Sequence, residues 1–278
     1  MSTPILTVQN LCKRYPHFFL DDVSFELHPG ITGFIGENGA GKTTTLSCLL
    51  DLVHPDSGEV CFFGKPYSDD PADIRQRVGY AAGTTTFYPH KPIAVLTSVT
   101  RTFYDRWDEA VYHRLMDRFH LDPRKTPSQL SSGMKVKYSI ACALSYHAQL
   151  LILDEPTSGL DPRSRADLME LFLEIVNGED VTILFSTQIT SDLEDYADRI
   201  IYIREGRIAA DSGLESFLNR YRLARTKERP PVDAVLGSRR IRGGWLSLLR
   251  ADAPPLPEGQ IGPASLAEIM VLDPAGEE

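Results

Sequence analysis

Gly36-Glu37-Asn38-Gly39-Ala40-Gly41-Lys42-Thr43 is the stretch on which the fold turns. It is a complete G-x-x-x-x-G-K-[ST], preceded by the apolar run Ile31 to Ile35 and followed by Lys42 to Leu52, where polar residues keep to one side of a helix. Strand, glycine-rich loop and helix form the order that cradles a phosphate. Glycines let the loop curl until its N–H groups point inward, and the helix adds the positive end of its dipole. The candidate nucleotide-binding set here is Gly36, Asn38, Gly39, Ala40, Gly41, Lys42, Thr43 and Thr44. Lys42 is expected to reach the β- and γ-phosphates of ATP, and Thr43 to ligate Mg²⁺.

Working outward, Leu150-Leu151-Ile152-Leu153-Asp154-Glu155 is an apolar strand ending in two carboxylates. Ligands bind at the carboxyl ends of strands in parallel sheets, so Asp154 is the second candidate Mg²⁺ ligand and Glu155 the group that polarises an attacking water. Val78 to Ala81 and Val181 to Phe185 read as further buried strands. Asp161-Pro162 predicts an N-cap and first-turn proline for a helix from Arg163 to Val176. Leu6 to Val8, Val23 to Leu27 and Glu59 to Phe63 read as shorter, half-exposed strands. Val95 to Leu121 is mostly helix-compatible, and Glu205-Gly206 turns a terminal hairpin between Asp198 to Tyr202 and Arg207 to Ala210. No internal repeat is visible, so one such unit is expected.

Composition narrows the function. The 278 residues are 42% hydrophobic and 24% charged, enough for one large α/β domain plus an appendage. A formal charge of -9 argues against recruitment to nucleic acid or anionic lipid by a broad positive field. Cys12, Cys48, Cys61 and Cys142 form no C-x-x-C pair and read as small core residues of a protein in a reducing compartment. No run approaches the roughly 18 apolar residues of a membrane helix, so no membrane-spanning helix is expected in this chain.

Leu130-Ser131-Ser132-Gly133-Met134 precedes Asp154 where ATP-binding-cassette (ABC) ATPases carry their signature loop, and from Ile5 to Tyr221 the chain resembles that family. Thr157-Ser158-Gly159-Leu160-Asp161 is similar to its D-loop, and Tyr15 stands where an aromatic stacks on adenine. The resemblance implies a P-loop α/β cassette over 1–222, with a mixed core sheet, an antiparallel β subdomain and a helical subdomain at about 84–148. Residues 223–278 would form a small α+β accessory segment. It further implies that Ser131, Ser132 and Gly133, at the start of a helix from Met134 to Tyr146, face the ATP of a second cassette, a copy or a different chain. Transmembrane permease subunits on a separate chain would complete a transporter, resembling single-cassette exporters of the bacitracin-resistance and GntR-operon type. The protein would then be peripheral on the cytoplasmic face of the membrane.

Two positions depart from the family pattern. Gly83 stands where the Q-loop glutamine belongs, and Gln188 replaces the switch histidine. Gln188 can donate a hydrogen bond to the γ-phosphate but cannot become cationic, so two readings stand side by side: weak turnover or an unequal site pair, and subgroup drift with water filling the gaps. Phe87 and Tyr88 are candidates for an apolar socket that seats a permease helix, whereas Phe103 and Trp107 could equally be core. In the tail, Ser238 to Arg242 beside Trp245 reads as a solvated face or a self-contact, and Gly262 to Met270 as a short helix. The competing class is a soluble ABC ATPase acting on nucleic acid or ribosomes, which usually joins two cassettes or inserts a coiled coil; neither feature is present.

Overall fold

The computed structural model describes residues 3–82, 88–178, 180–231, 233, 235–254 and 260–273. Gly83 and Phe87 lie outside the described residues. The centre is a six-stranded sheet in the order β10-β9-β3-β8-β7-β6: β3 (Ile31–Ile35), β6 (Val78–Ala82), β7 (Leu150–Asp154), β8 (Thr182–Thr187), β9 (Arg199–Arg204) and β10 (Arg207–Gly213). All neighbours run parallel except the β9–β10 hairpin. β3, β7 and β8 are buried at every position because both faces of the sheet are covered there, whereas the edge strand β10 stays partly exposed. Leu151, Leu153, Ile183 and Phe185 point to one core; Leu150, Ile152 and Leu184 point to the other.

The first core is roofed by α5 (Ser132–Ser145), α6 (Pro162–Gly178) and α7 (Thr190–Tyr196). The second lies under α1 (Lys42–Leu49) and an antiparallel sheet in the order β2-β1-β4-β5: β1 (Leu6–Tyr15), β2 (Phe18–Leu27), β4 (Ser57–Phe62) and β5 (Lys65–Pro66). A short α2 (Pro71–Arg77), capped by Asp70, leads into β6. The expected mixed sheet, antiparallel subdomain and helical subdomain are all present.

Several expected boundaries move, each for a local reason. β1 and β2 are much longer than Leu6 to Val8 and Val23 to Leu27, because the pairing shifts register between Val8 and Leu11 and hides the alternation. The first helix stops at Leu49, before a left-handed Asp51. The stretch from Val95 to Leu121 divides into α3 (Ile93–Thr100), a 3₁₀ turn at Arg101–Phe103, and α4 (Glu109–Arg118). Asp108 starts α4 by accepting the N–H groups of Ala110 and Val111, and Tyr104 instead stacks flat on Tyr146 at 3.6 Å. Asp161 caps α6 as expected, accepting from Arg163 and Ser164.

The C-terminal part is a four-stranded antiparallel sheet, β12-β13-β11-β14, made of β11 (Tyr221–Thr226), β12 (Gly237–Ile241), β13 (Gly244–Arg250) and β14 (Gln260–Pro263). A boundary drawn between 222 and 223 falls inside β11. The short α8 (Leu214–Leu218) precedes it, and the last helix is α9 (Leu266–Leu272), later than expected because Gln260–Pro263 pairs with β11. Leu223, Leu248, Leu266 and Ile269 join the cassette's first core, and Glu194 of α7 accepts the Leu266 N–H at 2.6 Å. Arg239, Arg240 and Arg242 are exposed, and Arg229 stacks on Trp245. Among the described residues, no helix is long and apolar enough to cross a membrane.

Candidate nucleotide site

The loop between β3 and α1 is shaped by contacts that only glycine permits. Gly41 sits at φ +116°, and a Cβ at Gly36 would lie 2.4 Å from the Ile203 carbonyl of β9. The Ala40 carbonyl accepts the Gly206 N–H at 3.0 Å, tying the loop to the β9–β10 turn. Phe18 and Leu20 of β2 press on Gly41 from the other side, and Tyr15 closes the same hairpin end, 40% exposed, with Lys13 Nζ 5.8 Å from its ring centroid. Glu37, Asn38 and Gly39 are exposed along the loop, Thr43 opens to solvent, and Thr44 is half-buried.

Lys42 is the electrostatic centre. It is buried, its Nζ donates to the carbonyls of Gly36 at 2.7 Å and Glu37 at 3.1 Å, and Glu155 Oε1 stands 3.9 Å away. Burial holds its pKa below the ordinary lysine value, against the opposing fields of Glu155 and Asp154. The start of α1 adds to the positive potential, with no acidic residue in its first turn and no side-chain cap.

β7 and β8 bring up the carboxylates. Their register sets Asp154 beside Ser186. Asp154 is buried, and its Oδ1 accepts the Ser186 hydroxyl at 2.6 Å. Glu155 turns away from the strand at φ 48°, and its N–H donates to Ser186 Oγ at 2.9 Å. Gln188, just past the β8 tip, is exposed. Lys42, Asp154 and Glu155 therefore converge as the sequence predicts, whereas Ser186 escaped it. Its available signal was a pair of hydroxyl residues, Ser186 and Thr187, at the carboxyl end of an otherwise apolar strand.

Ser131, Ser132 and Gly133 lie apart from this cluster, and among the described residues no hydrogen bond or ion pair joins them to the phosphate loop. Ser131 is exposed and caps α5, accepting the Met134 N–H at 3.2 Å, so the helix begins at Ser132 rather than Met134. A Cβ on Gly133 would lie 3.3 Å from Leu160, which places the cap beside the turn after Asp154.

The residues fit a triphosphate with Mg²⁺: a buried ammonium and the uncapped, acid-free start of a helix meet the anion, and hard oxygen donors on Thr43 and Asp154 suit the metal. Among the described residues no three His, Cys, Asp or Glu side chains cluster as a metal site would need.

A second concavity lies between α3 and the core sheet. It is a groove of about 780 Å³ lined by Leu52, Tyr88, Val95, Val99 and Phe103, with Tyr88 72% and Phe103 68% exposed. Trp107 instead packs, partly buried, on Tyr112, ring centroids 5.4 Å apart, at the margin of the helical subdomain's core.

Comparison with known proteins points the same way. The family model described as "ABC transporter" matches residues 20–158, which include the phosphate loop, Ser131 to Gly133, Asp154 and Glu155. The bacitracin transport ATP-binding protein BcrA of Bacillus licheniformis is 31% identical over 226 residues, 80% of this chain and 74% of its own. The Nod factor export ATP-binding protein I of Burkholderia pseudomallei is 33% identical over 218 residues, 76% of this chain and 71% of its own. A solved ATP-binding subunit of an ABC transporter superposes with a TM-score of 0.67 at 30% identity, covering 76% of this chain and 91% of that one.

Proposed function

The chain belongs to the ABC transporter family as an ATP-binding subunit, and on that premise we propose that it binds and hydrolyses Mg-ATP in a two-cassette sandwich to drive export through separate transmembrane subunits. The observation that carries this reading is the convergence of Lys42, Asp154 and Glu155 at the mouth of the glycine loop. Lys42 binds and orients the β- and γ-phosphates, loop N–H groups hold the β-phosphate, and Tyr15 stacks on the base. Bound Mg²⁺, held by Thr43 and through water by Asp154, would neutralise charge on the β- and γ-phosphates. Glu155 accepts the proton of the water whose oxygen attacks the γ-phosphorus as the bond to the leaving ADP oxygen breaks. Ser131, Ser132 and Gly133 close the site from the second cassette, their helix start facing its γ-phosphate.

Export is favoured by the two relatives named for bacitracin transport and Nod factor export. The permease partner would seat an amphipathic helix in the groove at Tyr88 and Phe103, holding this chain to the cytoplasmic face of the membrane. Residues 223–278 serve as an accessory segment without chemistry of their own. Gln188 favours one variant of this reading, a weak engine paired with a different, standard cassette, since the exposed amide has no ring to orient Glu155. Phosphate release by the purified chain tests the proposal: Mg-dependent ATP hydrolysis abolished by Glu155→Gln is expected. Hydrolysis that survives that substitution would overturn the role of Glu155.

A further inference from the structure

Ser186 is fully buried at the tip of β8 and touches both carboxylate residues at once. A serine hydroxyl has one proton; here it goes to Asp154 Oδ1, and a lone pair remains for the Glu155 N–H. Asp154 Oδ2 has no hydrogen bond or ion pair among the described residues, so it is the oxygen left to face a metal's water shell. The Glu155 peptide, in the left-handed conformation, draws its N–H partner from this same side chain. We propose that Ser186 is a positioning residue for ATP hydrolysis, a single hydroxyl that fixes the Asp154 carboxylate for Mg²⁺ and the Glu155 backbone for water activation. In a chain with Gln188 in place of a ring, Glu155 is oriented through its own peptide from the neighbouring strand. The proposal rests on the Mg-ATP reading of the site.

Ser186→Ala and Ser186→Thr separate positioning from mere packing. Ser186→Ala should expose the Glu155 amide to hydrogen exchange about tenfold faster in the nucleotide-free protein, leaving the Leu153 amide in the β7 ladder protected. By equilibrium fluorescence it should bind ATP without Mg²⁺ as the wild type does, yet lose about tenfold of the affinity that Mg²⁺ adds. Ser186→Thr keeps the hydroxyl and should restore both. Unchanged Glu155 exchange together with an intact Mg²⁺ effect overturns the proposal. So does uniformly faster exchange across β7 with the Mg²⁺ effect intact, which would mark Ser186 as only a fold residue. A wild-type chain that binds no Mg-ATP overturns the site reading along with this inference, whereas a binding wild type matched by Ser186→Ala overturns this inference alone.

Discussion

Lys42→Met should leave the empty protein about as stable as before while removing its response to nucleotide. Removing a buried ammonium relieves a desolvation penalty of several kcal/mol. It also forfeits the two bonds to the Gly36 and Glu37 carbonyls, worth about 1.5–3 kcal/mol each as charge-assisted contacts. The two effects are comparable, so the apo midpoint should move by no more than about 3 °C, at about 2–4 °C per kcal/mol for chains near this size. On the ligand side, the lost phosphate contact should cost about 2.3 kcal/mol, about 50-fold in affinity. At a free Mg-ATP concentration of about 100 Kd the wild type gains about 2.7 kcal/mol, a rise of about 5–10 °C. The variant at that concentration sits at about twice its own Kd, gains about 0.65 kcal/mol and rises by about 1–3 °C. Thermal unfolding with and without Mg-ATP reads all four values. A full wild-type rise in the variant would refute the placement of the phosphates at Lys42.

The groove substitution Tyr88→Ser with Phe103→Ser should weaken binding to the permease by at least about 100-fold, since each ring would bury on the order of 100 Å² of now-exposed surface at about 25 cal/mol per Å². Co-purification from detergent reads the loss, and ATP binding by the chain alone should be unchanged. Asp192 of α7 is buried with Arg165 Nε 3.9 Å away, and burial raises its pKa despite that neighbour. A carboxyl with a raised folded pKa holds its proton more tightly in the native state, so its contribution is present at low pH and lost as pH rises through that value. Asp192→Asn should therefore gain stability relative to wild type as pH rises above the ordinary carboxyl range, read by urea unfolding; parallel profiles would count against it.

How much was legible in the sequence follows from how local each signal is. The phosphate loop, Asp154-Glu155 and the Asp161 cap are encoded within a few consecutive residues, so their positions and elements could be read directly. The bulge that lengthens β1 and the Tyr104–Tyr146 stack that ends the helical stretch depend on partners far along the chain. Ser186 belongs to the same class, because its bonds cross from β8 to β7 and the register is a tertiary property. The tail was legible as a small mixed fold, but its attachment through Glu194 and Leu266 joins two segments 72 residues apart. The role of Ser131 is of a third kind. Within one chain it is a helix cap, and its nucleotide face would exist only in an assembly.

That assembly is where the account is most exposed. Light scattering on Glu155→Gln, in which nucleotide would bind without being consumed, measures it directly. With Mg-ATP the mass should double from the 31.0 kDa of one chain, with ADP it should not, and adding Ser131→Arg should keep the protein monomeric although it still binds ATP. A monomer with ATP bound, or a nucleotide-independent dimer indifferent to Ser131→Arg, would contradict a sandwich between two copies of this chain.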